Sequence, residues 1–246
     1  VGAKTRLLLV IAALMLPPAS VAAVQPADHQ AFWLWSGVKP TAEMKQAQIV
    51  YLHQGEVVAL PAGATFEKLG LPASRLSFPT LWITVRFATL EVPDALLLRI
   101  VRLLDSWQRK GNRVIGLQID FDAATHRLDE YGLFLKRVRA VLPAGYALGV
   151  TGLLDWAKTG DIAVINTLPI DELVIQSYQG RRTVSNYADY LPALAALRIP
   201  FKLGLVQHGE WREENQPASA WYRGTVVFML NPVRGEACGS SRKGCR

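Results

Sequence analysis

Eight short apolar segments recur along this chain, and their spacing restricts the fold to a few architectures. They fall at 31–36, 48–52, 81–87, 114–121, 146–151, 172–178, 201–207 and 225–230, mostly beginning 24 to 33 residues apart. Such intervals leave room for one helix and two turns, which is what a crossover between parallel strands needs. A helix is expected between the third and fourth segments. Pro93 suits its first turn, Leu96, Leu97, Ile100, Val101, Leu104 and Trp107 recur at helical spacing, and Lys110-Gly111-Asn112 ends it. A second is expected from Leu128 to Val141, with Leu128, Tyr131, Leu135, Val138 and Leu142 apolar and Pro143 closing. A third is expected from Tyr187 to Leu197, with Asn186 as its cap. An extra hairpin-like piece falls near 55–60. The rhythm predicts a single α/β domain over residues 24–232, a (β/α)8 TIM-like barrel of irregular form. A doubly wound open sheet is the alternative.

The two ends read differently. Lys4 and Arg6 precede an apolar run from Leu7 to Leu16, and Ala19-Ser20-Val21-Ala22-Ala23 supplies small residues. That is the pattern of a signal peptide over residues 1–23, cut after Ala22 or Ala23, and it predicts a periplasmic or secreted protein. Ten apolar residues are too few for a bilayer, which needs about 20, so no stable membrane insertion is expected. Removing this segment takes two cations and no acid, so the net charge falls from +7 to +5. The excess is scattered, with a small cluster at Arg234, Arg242, Lys243 and Arg246, and no basic stripe interleaved with aromatics points to nucleic acid. Residues 233–246 form a basic tail holding both cysteines, Cys238 and Cys245, which in an oxidising compartment either close a small disulfide loop or stay as free thiols. No histidine lies near them, and His29, His53, His126 and His208 show no ligand spacing, so neither metal nor cofactor is expected.

The chemistry is concentrated in "GLQIDFDAATHRLDEY", residues 116–131. If 114–122 is a barrel strand, Ile115, Leu117, Ile119 and Phe121 face the helices. The inward set, Val114, Gly116, Gln118, Asp120 and Asp122, grows more polar toward the C-terminal end, where barrel enzymes assemble their sites. Charges placed there escape the desolvation a dry core would impose. The same parity turns Trp82, Thr84 and Arg86 inward on the third strand, and Arg86 could hold an aspartate ionised. It offers Gly149 and Thr151 on the fifth strand, followed in the loop by Asp155 and Trp156. On the sixth it offers Val174, Gln176 and Tyr178. Over 201–210 it offers Gly204, Val206, His208 and Glu210, with Lys202 awkward on the same parity. Trp35, Trp156 and Trp211 fall at or just beyond strand ends, where flat rings can stack on sugars, although each alone suits a core equally well.

These residues carry two resemblances. Gly116 to Asp122 resembles the fourth-strand aspartate ladder of chitinase-type barrel glycosidases, and Gln176-Ser177-Tyr178-Gln179 is similar to their sixth-strand tyrosine segment. More broadly, Phe32-Trp33-Leu34-Trp35, the ladder, and residues 149–156, 171–183, 199–211 and 226–232 resemble an uncharacterised bacterial secreted family, domain of unknown function three-one-four-two, over most of the mature chain. That family implies no activity. The glycosidase ladder ends in a glutamate preceded by aspartates at two-residue steps, whereas the steps here read Gln118, Asp120, Asp122, Ala124. With Asp122 in the terminal place a shorter acid replaces the glutamate; with Ala124 there the proton donor is missing.

The expected function is therefore a glycoside hydrolase-like protein acting on a polysaccharide, or a barrel that binds glycan or an assembly partner without chemistry. Asp122 is the expected proton donor, with Asp120, kept ionised beside Arg86, and Tyr178 orienting or stabilising. Glu210 is the expected second carboxylate from across the mouth. Trp35, Arg86, Gln118, Asp155, Trp156, Gln176, His208 and Trp211 are expected to contact substrate. Neighbours at i and i+2 on a strand leave both retaining and inverting geometries open.

Overall fold

The computed structural model describes residues 22–212 and 215–231. Residues up to 21, where the signal peptide is expected, and the tail with Cys238, Cys245 and the basic cluster lie outside the described residues. Eight parallel strands close into a ring. In chain order they are Ala31–Leu34, Ile49–Leu60, Thr80–Phe87, Val114–Asp120, Ala147–Leu153, Glu172–Gln176, Phe201–Val206 and Tyr222–Phe228, called here the first to eighth barrel strands. Each pairs with the next, and the first lies between the eighth and the second. The closing seam is short: Val227 pairs with Phe32 and Phe228 with Trp33, whereas the second and third strands share eight registered pairs. The open sheet is thereby excluded, and every expected strand is present.

The outer layer is irregular. Helix α1 (Asp94–Arg109) buries Leu97, Ile100, Val101, Leu104 and Trp107 against the strands, and α2 (Leu128–Val141) buries Leu128, Tyr131, Phe134, Leu135 and Val138. Each such side chain contributes about 1.5–3 kcal/mol by leaving water. The third expected helix is two 3-10 turns, Tyr187–Asp189 and Leu191–Ala196, and the Asn186 side chain caps neither. Pro192 lacks the amide an α-helix would use. The buried Leu191, Leu194 and Leu197 repeat every three residues, the period at which a 3-10 helix aligns its side chains. The piece near 55–60 is the second strand's own extension, which turns back as Gly63–Lys68 in an antiparallel hairpin. No helix among the described residues is long and apolar enough to cross a membrane.

The residues assigned to the end of the leader take part in the fold. Ala22 pairs with Trp211 and Ala23 with Glu210, antiparallel, and the Val24 amide donates to the Gly209 carbonyl at 2.8 Å. Ala22 and Ala23, outside the expected domain start at 24, are thus paired with a strand of the fold.

Side-chain parity in the fourth strand holds from Gly116 onward and fails before it. Leu81 pairs with Val114 but Trp82 pairs with Gly116, so Ile115 is an extra residue. Val114 consequently joins the outer core, while Ile115 packs on the interior cluster. That interior is aromatic. Trp33 stacks on Phe228 at 4.7 Å and on Tyr51 at 5.7 Å, and Tyr51 stacks on Trp82 at 6.0 Å. Near the N-terminal end of the barrel, Lys202 explains its own parity. Its Nζ donates to the Tyr51 hydroxyl at 2.9 Å and pairs with Glu172, whose other oxygen accepts the Tyr51 hydroxyl. Burial, and then the Glu172 charge, push the Tyr51 pKa well above its ordinary value.

Candidate active site

Above the aromatic plug the inward positions turn polar, strand by strand. His53, Thr84, Gln118 and Gly149 lie side by side in register on the second to fifth strands. Gln118 fits because position 149 has no side chain: a Cβ there would sit 1.9 Å from Gln118 Oε1. One level higher, Glu56, Arg86 and Asp120 are registered neighbours on the second, third and fourth strands. The Thr151 hydroxyl donates to Asp120 Oδ1 at 2.7 Å. Arg86 bridges two carboxyls, with Nη1 3.6 Å from Asp120 Oδ2 and Nη2 3.1 Å from Asp122 Oδ2. That bridge keeps the two Oδ2 atoms within about 9 Å of each other, inside the ~9.5 Å upper limit for paired glycosidase carboxyls.

Several polar atoms of this region are buried without a hydrogen bond among the described residues: His53 Nε2, Thr84 Oγ1, both amide atoms of Gln118, and Asp120 Oδ2. Each such group costs about 1–3 kcal/mol. Their concentration under one mouth marks a place built for something other than packing.

Over them opens a cleft of about 440 Å3, whose walls include Trp35, Arg86, Asp122, Gln176, Tyr178 and Phe228. Its size falls within the roughly 300–1,000 Å3 of ligand pockets. A cleft of similar size, about 450 Å3, opens at the opposite face between Arg113, Arg139 and Asp171. There Arg139 is already paired with Asp171 at 2.5 Å, and barrel chemistry belongs to the C-terminal face.

Five expected site residues thus share the upper cleft: Trp35, Arg86, Asp122, Gln176 and Tyr178. Gln118 and Asp120 lie directly beneath, buried. Five others lie away from the cleft walls. Trp156 is buried on the helix side, its indole N–H donating to the Ala123 carbonyl at 2.8 Å. Asp155 precedes the short helix Trp156–Thr159, because the fifth strand stops at Leu153 and the chain turns outward. Trp211 is buried against Tyr187. His208 and Glu210 are exposed. The seventh strand ends at Val206, and His208 takes a left-handed φ of 62°, so alternation cannot be counted past it. Glu210 instead pairs with Ala23 at the edge. Asp122 and Ala124 both lie beyond the strand, which ends at Asp120, and of the two Asp122 lines the cleft.

Two residues of the mouth escaped the sequence argument, His53 and Glu56. Both sit beside a bulge at Gln54 and Gly55, and a glycine within a strand is the signal that could have found them. His53 Nδ1 lies 2.8 Å from Ser36 Oγ, and its ring meets Trp35 edge-on at 5.0 Å. Among the described residues no group of three or more His, Cys, Asp or Glu is placed to hold a metal.

The carboxyl with the raised pKa is Asp120, at about 6, where the sequence had suggested an aspartate held ionised by Arg86. Burial is the main cause; the Thr151 hydrogen bond and Arg86 pull it down, and the charges of Asp122 and Glu56 push it up. Burial and then Arg86 lower His53 to about 4. Burial and the two aspartates hold Tyr178 well above its ordinary value, so its hydroxyl stays a donor.

Asp120 and His53 titrate in opposite senses over nearly the same pH range. Asp120, raised from 3.8 to about 6, adds stability that is complete below pH ~4 and is lost as pH rises through 6. His53, lowered from 6.5 to about 4, adds stability that is complete above pH ~6.5 and is lost as pH falls through 4. The two nearly cancel in the native chain. Asp120→Asn is therefore expected to give stability that climbs between pH 4 and 6.5, and His53→Gln stability that declines there, each by about 3 kcal/mol. Urea unfolding at pH 4, 5, 6 and 7 checks both slopes; two flat profiles would contradict the burial assigned to these groups.

The family model for a domain of unknown function (DUF3142) matches residues 80–195, a span that includes Arg86, Asp120, Asp122 and Tyr178. Among solved structures, the chain is similar to the Bacillus cereus spore cortex-lytic enzyme SleL, at 17% identity and a TM-score of 0.48, over 81% of this chain and 54% of that one. The chain thus spans about half the length of that enzyme. No curated protein matches it.

Proposed function

We propose that this barrel is an exported, glycoside hydrolase-like protein that takes a polysaccharide chain across its C-terminal cleft. The observation that carries the proposal is the single guanidinium bridging two carboxyls at the cleft wall, Asp122 exposed to solvent and Asp120 buried beneath it. Glycosidic cleavage needs a proton for the leaving oxygen and a carboxylate to support the charge that develops on the sugar. Asp122, on the wall, would meet the substrate. Asp120 would hold the site's geometry from below through Arg86 and Thr151. Trp35 and Tyr178 flank the same space, where ring faces can stack on sugar C–H surfaces and the Tyr178 hydroxyl can donate to a sugar oxygen.

A second reading, binding without cleavage, is favoured by one observation: Asp120 Oδ2 has no exposed surface, which leaves Asp122 as the one carboxylate among the cleft's lining residues. Long incubation with bacterial cell-wall and extracellular polysaccharides separates the two. New reducing ends support cleavage; saturable binding with no new ends supports the second reading; neither binding nor product across the panel removes carbohydrate from both.

A further inference from the structure

Glu56 reaches the mouth through an irregularity of the second strand. His53 pairs with Thr84 and Gly55 with Val85, so Gln54 is an extra residue and alternation restarts after it. The Gln54 side chain turns outward and accepts the Trp107 indole N–H at 2.9 Å. Gly55 is required at the bulge, since a Cβ there would lie 2.3 Å from the Glu67 carbonyl oxygen. Glu56 then falls opposite Arg86, which on its other side is opposite Asp120. Three charged residues occupy in-register positions on three consecutive strands, whose backbones are roughly 4.8 Å apart. A separate observation marks this rim as more than an acidic cluster: Asp120 Oδ2 is buried and aimed at Arg86 from 3.6 Å, with no hydrogen bond.

We propose that Glu56 is a positioning residue of the mouth, whose charge, in register on the far side of Arg86 from Asp120, offsets part of that guanidinium's pull and so favours the protonated form of Asp120. Around Asp120 the remaining groups are Asp122 beyond the end of its own strand, the Thr151 hydroxyl, Tyr178 after the sixth strand and Tyr131 from α2. His53 lies one inward position below Glu56, and Glu67 faces Glu56 across the hairpin. With Glu56 ionised, the field that Arg86 offers its two ion-pair partners, Asp120 and Asp122, is partly offset from the neighbouring strand. With it neutral, the guanidinium is left to the two aspartates and draws Asp120 toward its charged form. The inference concerns the same site as the proposed carbohydrate chemistry, and depends on that reading only for its activity arm.

The test is the carboxyl 13C titration of Asp120 in the full chain and in Glu56→Gln, Glu56→Asp and Glu67→Gln. In Glu56→Gln the Asp120 midpoint is expected to fall by roughly 0.5–1 unit, the effect of removing one charge about 10 Å away at a moderate effective dielectric. Glu56→Asp keeps the charge and should restore most of the difference; Glu67→Gln should leave the midpoint in place. Where the wild type releases product, the acid limb of its pH–rate profile should move down with the NMR midpoint in Glu56→Gln. An unchanged or raised midpoint in folded Glu56→Gln overturns the inference, as does a Glu56→Asp midpoint further from the wild type than that of Glu56→Gln. If Glu56→Gln does not fold, Glu56→Ala, which also removes the charge, decides by the same criterion, and a midpoint that does not fall overturns the inference. A wild type without turnover counts against the cleavage reading and leaves the NMR comparison decisive for Glu56.

Discussion

Replacing Asp122 by asparagine should lower turnover of a cleaved polysaccharide by about 10²–10⁴-fold, the range for losing a positioned proton-transfer group, while leaving the fold nearly as stable as before. The Asp122 side chain is 51% exposed and its ion pair with Arg86 is solvent-facing, so its loss should cost no more than ~1 kcal/mol. Steady-state rates together with thermal unfolding separate the two effects. Glu210→Gln, at an exposed edge position, should stay within about threefold of the wild-type rate. An Asp122→Asn protein with full turnover would take the acid role away from this residue and, with it, the glycosidase reading of the cleft.

The largest stability effect is expected at the other end of the barrel. Lys202→Met removes the one cation of the buried network and leaves the Glu172 carboxylate facing the Tyr51 hydroxyl inside the ring. Breaking one partner out of such a pair costs about 3–5 kcal/mol because the remaining charge has neither water nor a counter-ion. For a domain of this size the melting temperature should fall by roughly 10 °C. Replacing both partners, Lys202→Met with Glu172→Leu, should recover most of that loss, since two apolar groups need no hydration. Urea unfolding of the two single variants and the double variant measures the coupling. Equal and additive losses would mean that the pair is not held as a unit.

The strands and the mouth were legible in the sequence for one reason: both depend on period-two alternation between an apolar outer face and an inner face that turns polar near the top. Gln118, Asp120 and Arg86 follow directly from that rule. It failed where the backbone departs from regular extension. The bulge at Ile115 moved Val114 outward, the bulge at Gln54 brought Glu56 inward, and the left-handed turn at His208 took Glu210 out of the count. A single inserted residue reverses every later assignment, and only the glycine at 55 announced one. Trp156 and Trp211 were misplaced for another reason. Their distance past a strand end does not say which way the chain turns, and both turn back into the outer core. Which of the two carboxyls has the raised pKa likewise depended on burial depth, which the two-residue step between them does not encode.

The short seam between the eighth and first strands bears on how the ring is made. Those strands come from opposite ends of the described chain and meet through two registered pairs, so their joining is the contact of greatest sequence separation and the least rewarded per residue ordered. The second to fifth strands, backed by both long helices, can assemble from neighbouring segments first. Closure is then expected to follow the other pairings, and it brings Trp35, carried just past the first strand, and Phe228 of the eighth together beside the cleft. A chain whose eighth strand has not yet joined the ring would keep the carboxylates but lack part of the aromatic wall, so the pocket is complete only once that strand is in place.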